Sequence, residues 1–351
     1  MIERTASWWH RDADRVHCDL CPHRCSLTDG AAGICGARRN ESGEMIAASY
    51  GKVCVRSLDP IEKKPLFHYR PGTLVHSFGT FGCNLDCANC QNYELACARE
   101  GGTPMTPREA VDEATGKGAQ GIAFTFNEPI TWYEFVLETA QEARGSGLYT
   151  VLNTNGFILP EPAKELFRHI DAINVDVKSF GDRFYRDNCG GRLQEVLDAG
   201  LLAKEQGVHV ELTYLLVPGL NDTDDEVRRF SRWAVESMGP DVPLFFFRFR
   251  PFYRLSHLPE QSMERMNEAR RIAVEEGARY VYFGGVADDG RNTHCPVCST
   301  VVIERKGASS TGKVCFMRSE VSRFCPSVSD VRVDLPGGRC PNCGERIPVV
   351  L

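Results

Sequence analysis

The chain has 351 residues, 42% hydrophobic and 25% charged, with a formal net charge of −6. That is enough to bury a large core, and it lacks the basic excess that holds a phosphate backbone. No apolar run approaches the ~20 residues that cross a bilayer, and Glu3, Arg4, Arg11, Asp12, Asp14 and Arg15 occupy the start where a signal peptide would be apolar. Neither nucleic acid nor membrane is therefore an expected partner, and the expected location is cytoplasmic. The anomaly is 16 cysteines. They are clumped in a long chain, which suits thiolate ligation of metals better than a disulfide framework. Their grouping divides the chain into a cysteine-rich N-terminal module (1–70), a central α/β domain (71–288) and a C-terminal module (289–351).

In chain order, Cys18-x2-Cys21-x3-Cys25-x9-Cys35 comes first. Four thiolates satisfy either zinc or an auxiliary iron–sulfur cluster. A module of about 70 residues has little core, so a metal staple is physically reasonable. A zinc would sit on the module's outer side, whereas an auxiliary cluster would have to face the mouth of the central domain, where its chemistry takes place. Asp59-Pro60-Ile61-Glu62-Lys63-Lys64-Pro65-Leu66 follows and is expected to pack the module against that domain.

The central segment alternates short apolar runs with helical patterns. Strands are expected at Leu74–Phe78, Gly121–Phe124, Tyr149–Asn153, Ala172–Val177, Val208–Val217, Leu244–Phe249 and Arg279–Phe283. Thr106-Pro107-Arg108-Glu109 is a capping box with proline at the first helical position, and Thr223-Asp224-Asp225-Glu226 is a second capping box. Further helices are expected at Trp132–Arg144, Glu161–Arg168, Leu193–Gln206 and Glu260–Glu276. About six β-α repeats imply a parallel sheet with right-handed crossovers, closed as a full or partial (β/α)6 barrel. Ligands then sit at the C-terminal ends of the strands. At the end of the chain, Cys295-Pro-Val-Cys298 and Cys340-Pro-Asn-Cys343-Gly344 read as the two knuckles of a zinc ribbon, with a gap that is long for one and contains Cys315 and Cys325.

Directly after the first expected strand stands Cys83-Asn84-Leu85-Asp86-Cys87-Ala88-Asn89-Cys90, spaced C-x3-C-x2-C. Three thiolates so close can hold three irons of a [4Fe-4S] cluster and leave the fourth iron open to a small molecule. A cluster built only for electron transfer usually has four cysteines. A three-cysteine zinc site is the competing reading, weakened by the absence of a nearby downstream histidine.

This spacing in this place resembles the radical S-adenosylmethionine (SAM) superfamily, over most of residues 72 to 285. Thr125-Phe126-Asn127-Glu128-Pro129 stands where family members have an acidic turn that holds the amino group of SAM. Asn153-Thr154-Asn155-Gly156, Asp176-Val177-Lys178 and Val217-Pro218-Gly219-Leu220-Asn221-Asp222 look like turns of glycyl-radical-enzyme activases. Cys21-Pro22-His23-Arg24-Cys25, the Asp59–Leu66 segment and both terminal cysteine pairs further resemble the radical enzyme of the AmmeMemoRadiSam system. Two departures point to a specialised paralogue. Asn89 replaces an aromatic residue expected against adenine, and Phe245 and Arg250 replace histidines near the sixth strand.

The resemblance implies a reduced [4Fe-4S] cluster on Cys83, Cys87 and Cys90 that cleaves SAM to methionine and a 5′-deoxyadenosyl radical, with Asn127, Glu128, Asn153, Thr154, Asp176 and Lys178 as cofactor-pocket residues. It also implies an outside reductant such as flavodoxin or ferredoxin. After hydrogen abstraction the outcome is either activation of a protein partner or tailoring of a small molecule, including C–S bond formation fed by an auxiliary cluster. A zinc-binding interaction protein is the alternative from another class. Arg248 and Arg250 are candidates to clamp an anionic group, and His76 and His209 read as ordinary barrel residues.

Overall fold

The computed structural model describes residues 4–286, 289–307, 309–316, 319–326 and 330–351, with side chains excluded at 289 and 309–326. Cys315 and Cys325 therefore lie outside the described side chains.

Seven parallel strands form the frame: Leu74–Gly79, Gly121–Phe124, Tyr149–Thr154, Ala172–Val177, His209–Leu216, Leu244–Arg248 and Val281–Gly284. They are hydrogen-bonded in chain order. Six helices link them, at Pro107–Gly116, Tyr133–Gly145, Pro160–Phe167, Leu193–Glu205, Asp224–Trp233 and Met263–Glu275. The result is the expected partial (β/α)6 barrel with a seventh strand. The strands are nearly continuous in apolar residues because both their faces are covered. The outer layer packs the helices on Ile122, Phe124, Leu152, Leu212 and Phe246.

An eighth strand, Val55–Pro60, lies antiparallel to the first, with Val55 opposite Gly79 and Pro60 opposite Leu74. The N-terminal segment thus ends inside the barrel sheet. From Pro60 the chain turns into the lumen. Ile61, Leu66 and Tyr69 pack on Val75, Ala123, Val151 and Ala172, where small strand residues leave room for the plug. Asn153 and Asn174 hold it by donating to the carbonyls of Lys64 (3.4 Å) and Pro65 (2.8 Å). Burial works against charge on Asp59, but Lys64 and Lys63, each 2.7 Å away, hold its carboxyl well below the usual range. The Asp59–Leu66 segment is therefore a barrel plug and not only a spacer between modules.

Thr106 makes its complete capping box with Glu109. At Thr223 only half forms: its hydroxyl accepts from the Glu226 N–H at 3.3 Å, while the Glu226 carboxylate turns into the core. There it accepts from the Phe180 N–H (2.8 Å), the Tyr214 hydroxyl (2.9 Å) and the Ser179 hydroxyl. Buried donors on the loop after the fourth strand and on the fifth strand compete successfully with the free N-cap amide.

The C-terminal module has strands Thr293–His294, Val301–Lys306 and Asp330–Val333. It closes the barrel floor through an apolar cluster that joins Val302, Ile303 and Ile347 to Phe67, Phe245 and Tyr282. The two faces of the sixth strand divide accordingly: Leu244 and Phe246 face the helices, Phe245 and Phe247 the floor. Among the described residues, no helix is long and apolar enough to cross a membrane.

Candidate functional site

The loop after the first strand occupies the C-terminal rim of the barrel. Gly82 precedes Cys83 with φ +86°, and a Cβ there would stand 2.4 Å from the Cys35 carbonyl oxygen, so only glycine fits. Cys83, Cys87 and Cys90 are each partly exposed. Asn127 braces the loop, accepting from the Thr80 N–H at 3.0 Å and donating to the Gly82 carbonyl at 2.9 Å. Asn92 donates to the Phe126 carbonyl at 2.7 Å. Phe126 itself is held at φ 76°, a left-handed conformation that costs a non-glycine residue about 1–3 kcal/mol. The second-strand turn is thus tied to the cysteine loop at both ends.

Glu128 is buried within the protein's own donors. Its carboxylate accepts from the Ile130 N–H (3.0 Å), the Thr154 hydroxyl (2.7 Å) and the Asn155 N–H (2.7 Å). Burial pushes it up to about 7 against those three hydrogen bonds. Glu128 therefore joins the second-strand turn to the third. Asn155 continues the connection, donating to Asn84 Oδ1 at 2.9 Å, with its amide nitrogen 3.8 Å from Cys83 Sγ. Lys178 and Asp176 pair at 2.8 Å. Burial works against the Lys178 charge, but Asp176 and the thiols of Cys87 and Cys189 hold its pKa above the ordinary value. The structure thus brings Asn127, Glu128, Thr154, Asp176 and Lys178 to the cysteine loop, while Asn153 points its amide to the plug.

Cys189 was not singled out by the sequence. It is fully buried beside Cys87, and the two thiols shift each other, Cys87 below its usual value and Cys189 well above. Its carbonyl accepts from the Asp86 N–H at 2.8 Å, and the Asn188 carbonyl accepts from the Ala88 N–H at 2.7 Å. The loop after the fourth strand is thus a clamp on the cysteine loop, made by residues about a hundred positions apart, with no motif to announce it.

Arg248 and Arg250 are already engaged, lying 3.5 and 3.4 Å from the Glu260 carboxylate, with Arg248 Nε also donating to the Gln261 carbonyl at 2.6 Å. His76 pairs with Glu113 at 3.0 Å and His209 with Glu211 at 2.9 Å, as ordinary barrel residues do.

The donor set fits a cluster with an open iron: three thiolates, with Asn89 beside them holding a buried Oδ1 that has no hydrogen-bond partner. The other two cysteine sets differ from each other. Cys295, Cys298, Cys340 and Cys343 bring their sulfurs within 4.8 Å of one another, as one tetrahedral ion requires. Cys18, Cys21, Cys25 and Cys35 line one cavity at the seam between the N-terminal module and the barrel, together with Asn84 and Thr131 of the barrel rim. Burial pushes the Cys21 thiol up to about 12, so a cation must displace protons to bind there.

The profile of the Radical SAM superfamily matches residues 78–234. An uncharacterized protein of Methanocaldococcus jannaschii, MJ0808, is 38% identical over 97% of both chains. Pyruvate formate-lyase 1-activating enzyme of Escherichia coli is 26% identical over 44% of this chain and 65% of its own length. A crystal structure of a domain of pyruvate-formate lyase-activating enzyme from Bacteroides vulgatus aligns at 17% identity and TM-score 0.42, over 48% of this chain and all of that one. With the three-cysteine loop on the first strand of a (β/α)6 barrel, the chain belongs to the radical SAM superfamily and resembles the activases of glycyl-radical enzymes.

Proposed function

We propose that this chain is an enzyme that holds a [4Fe-4S] cluster on Cys83, Cys87 and Cys90, cleaves SAM reductively, and uses the resulting radical to remove hydrogen from an unreactive C–H bond. The observation that carries this reading is the cysteine loop itself, positioned on the barrel rim among the turns of the second, third and fourth strands. When bound, cluster and SAM supply the one-electron cleavage of a C–S bond. The chain's own residues do the rest. Asn127, Asn92 and the 188–189 clamp fix the loop. Lys178 and Asp176 present opposite charges beside Cys87 for the polar end of SAM, and Glu128, Asn153 and Thr154 shape the turns that flank them. The plug of Ile61 to Leu66 closes the lumen beneath and keeps water from the rim.

The similarity to an activating enzyme supports a protein as the hydrogen donor, and tailoring of a small molecule is the alternative. The C-terminal cysteines are read as a structural zinc site. Reduced under anaerobic conditions with dithionite, the protein is expected to convert SAM to 5′-deoxyadenosine, and the Cys83→Ala/Cys87→Ala/Cys90→Ala variant to make none. Product from that triple variant would overturn the assignment.

A further inference from the structure

Two sulfurs on one zinc lie at most about 4.6 Å apart, twice the Zn–S bond. The C-terminal four come within that order of spacing. Among the described residues no three of Cys18, Cys21, Cys25 and Cys35 bring their sulfurs within 4.8 Å of one another, although all four line the same cavity. In every trio at least one pair is wider than a single ion allows. The same holds for Cys83, Cys87 and Cys90. The N-terminal set thus has the wide spacing of the radical loop and not the tight spacing of the C-terminal knuckles.

Its position is equally specific. Asn84, inside the cysteine loop and one residue or about 3.8 Å of chain from Cys83, forms part of the cavity wall. His23, between Cys21 and Cys25, donates from Nε2 to the Asn84 carbonyl at 2.7 Å. Gly82, on the other side of Cys83, packs on the Cys35 carbonyl. Arg38 is buried at the cavity, with Nη1 3.9 Å from Cys18 Sγ and Nε without a hydrogen bond. Its charge is already paired with the buried Glu134 carboxylate, so toward Cys18 it offers a hydrogen-bond donor and not a spare cation. On the outer side, Ile34 beside Cys35 is 53% exposed, and Arg99 donates to the carbonyls of both residues.

We propose that Cys18, Cys21, Cys25 and Cys35 ligate a second iron–sulfur cluster that relays electrons to the radical cluster. The relay rests on the radical reading; the ligation does not. A low-potential protein donor of the flavodoxin or ferredoxin class docks on the Ile34 side and loses one electron. The outer cluster is reduced and then reoxidised, and the inner cluster is reduced, with no bond or proton changing partner. The complete set of four protein ligands, walled from the barrel mouth by Gly82 to Asn84, suits electron transfer better than sulfur donation.

Metal content and electron delivery test the two halves separately. The anaerobically reconstituted Cys83→Ala/Cys87→Ala/Cys90→Ala variant is expected to keep two to four irons per chain with matching sulfide; zinc and no iron at the N-terminal set would overturn the ligation. The Cys18→Ser/Cys25→Ser variant is expected to lose that iron and one of two electron paramagnetic resonance signals. Its 5′-deoxyadenosine formation should fall at least tenfold with reduced flavodoxin yet persist with dithionite, which also shows that the variant is folded. Equal turnover with both reductants would overturn the relay. If the unaltered protein makes no 5′-deoxyadenosine with either reductant, the radical reading and the relay fall together, while the iron count still decides the ligation.

Discussion

At the scale of single residues, Glu128 combines a position expected to touch SAM with a carboxylate already accepting three hydrogen bonds from the protein. Glu128→Gln leaves the shape but puts an amide donor against the N–H groups of Ile130 or Asn155. A buried donor left without an acceptor costs about 1–3 kcal/mol. We expect a loss of that size in denaturant unfolding of the anaerobic protein without SAM; unchanged stability would restrict Glu128 to ligand binding. Cys189 poses the complementary case. Its polar influence on Cys87 is expected to survive partly in Cys189→Ser and vanish in Cys189→Ala, so the two variants should shift the potential of the radical cluster by different amounts. Equal potentials in both and in the parent would limit Cys189 to packing.

At the scale of elements, most of the barrel was legible because buried parallel strands and capped helices carry their own local signals. All seven expected strands formed, with ends moved by a residue or two. What was not legible depended on tertiary partners. The Val55–Pro60 strand is short, half polar and ends in Asp-Pro, so only its pairing with the first strand makes it a strand. Glu226 obeyed the capping spacing and was diverted by buried donors. The N-terminal cysteine spacing reads as a metal-site pattern, but the depth and spread of the sulfurs follow from how the module meets the rim.

The barrel floor yields a pH prediction. His68 lies fully buried there, with Nδ1 3.1 Å from the Pro348 carbonyl and Nε2 2.6 Å from the Tyr282 hydroxyl. Burial lowers its pKa from 6.5 to about 4, so the neutral ring donates to Pro348 and accepts from Tyr282. The unfolded chain takes up the proton first as pH falls. The contribution is therefore complete above pH 6.5 and is lost as pH falls through 4, on the order of 3 kcal/mol at the limit. Unfolding free energies of the protein and of His68→Gln should diverge across that window, and parallel pH profiles would refute the assignment.

At the scale of the whole molecule, the flanking cysteine sets sit at opposite ends of the barrel, and that separation divides their roles. The N-terminal set touches the radical loop through Asn84. The C-terminal set lies below the floor, where its module meets Phe67, Phe245 and Tyr282. Its sulfurs pair at 3.5 Å, Cys295 with Cys343 and Cys298 with Cys340, spacing suited to one ion and too long for disulfides. Preventing an ion from binding there should loosen the floor. The plug above it keeps its own ties, however: Glu211 accepts from the Phe67 and His68 N–H groups at 2.9 and 2.8 Å, and Asn153 and Asn174 hold Lys64 and Pro65. Cys298→Ser/Cys340→Ser is therefore expected to abolish zinc binding and lower the melting temperature by several degrees. The dithionite-driven rate of 5′-deoxyadenosine formation per folded chain should stay within about twofold of the parent. A tenfold loss of that rate at a temperature where the variant remains folded would show that the floor reaches the radical site through the plug.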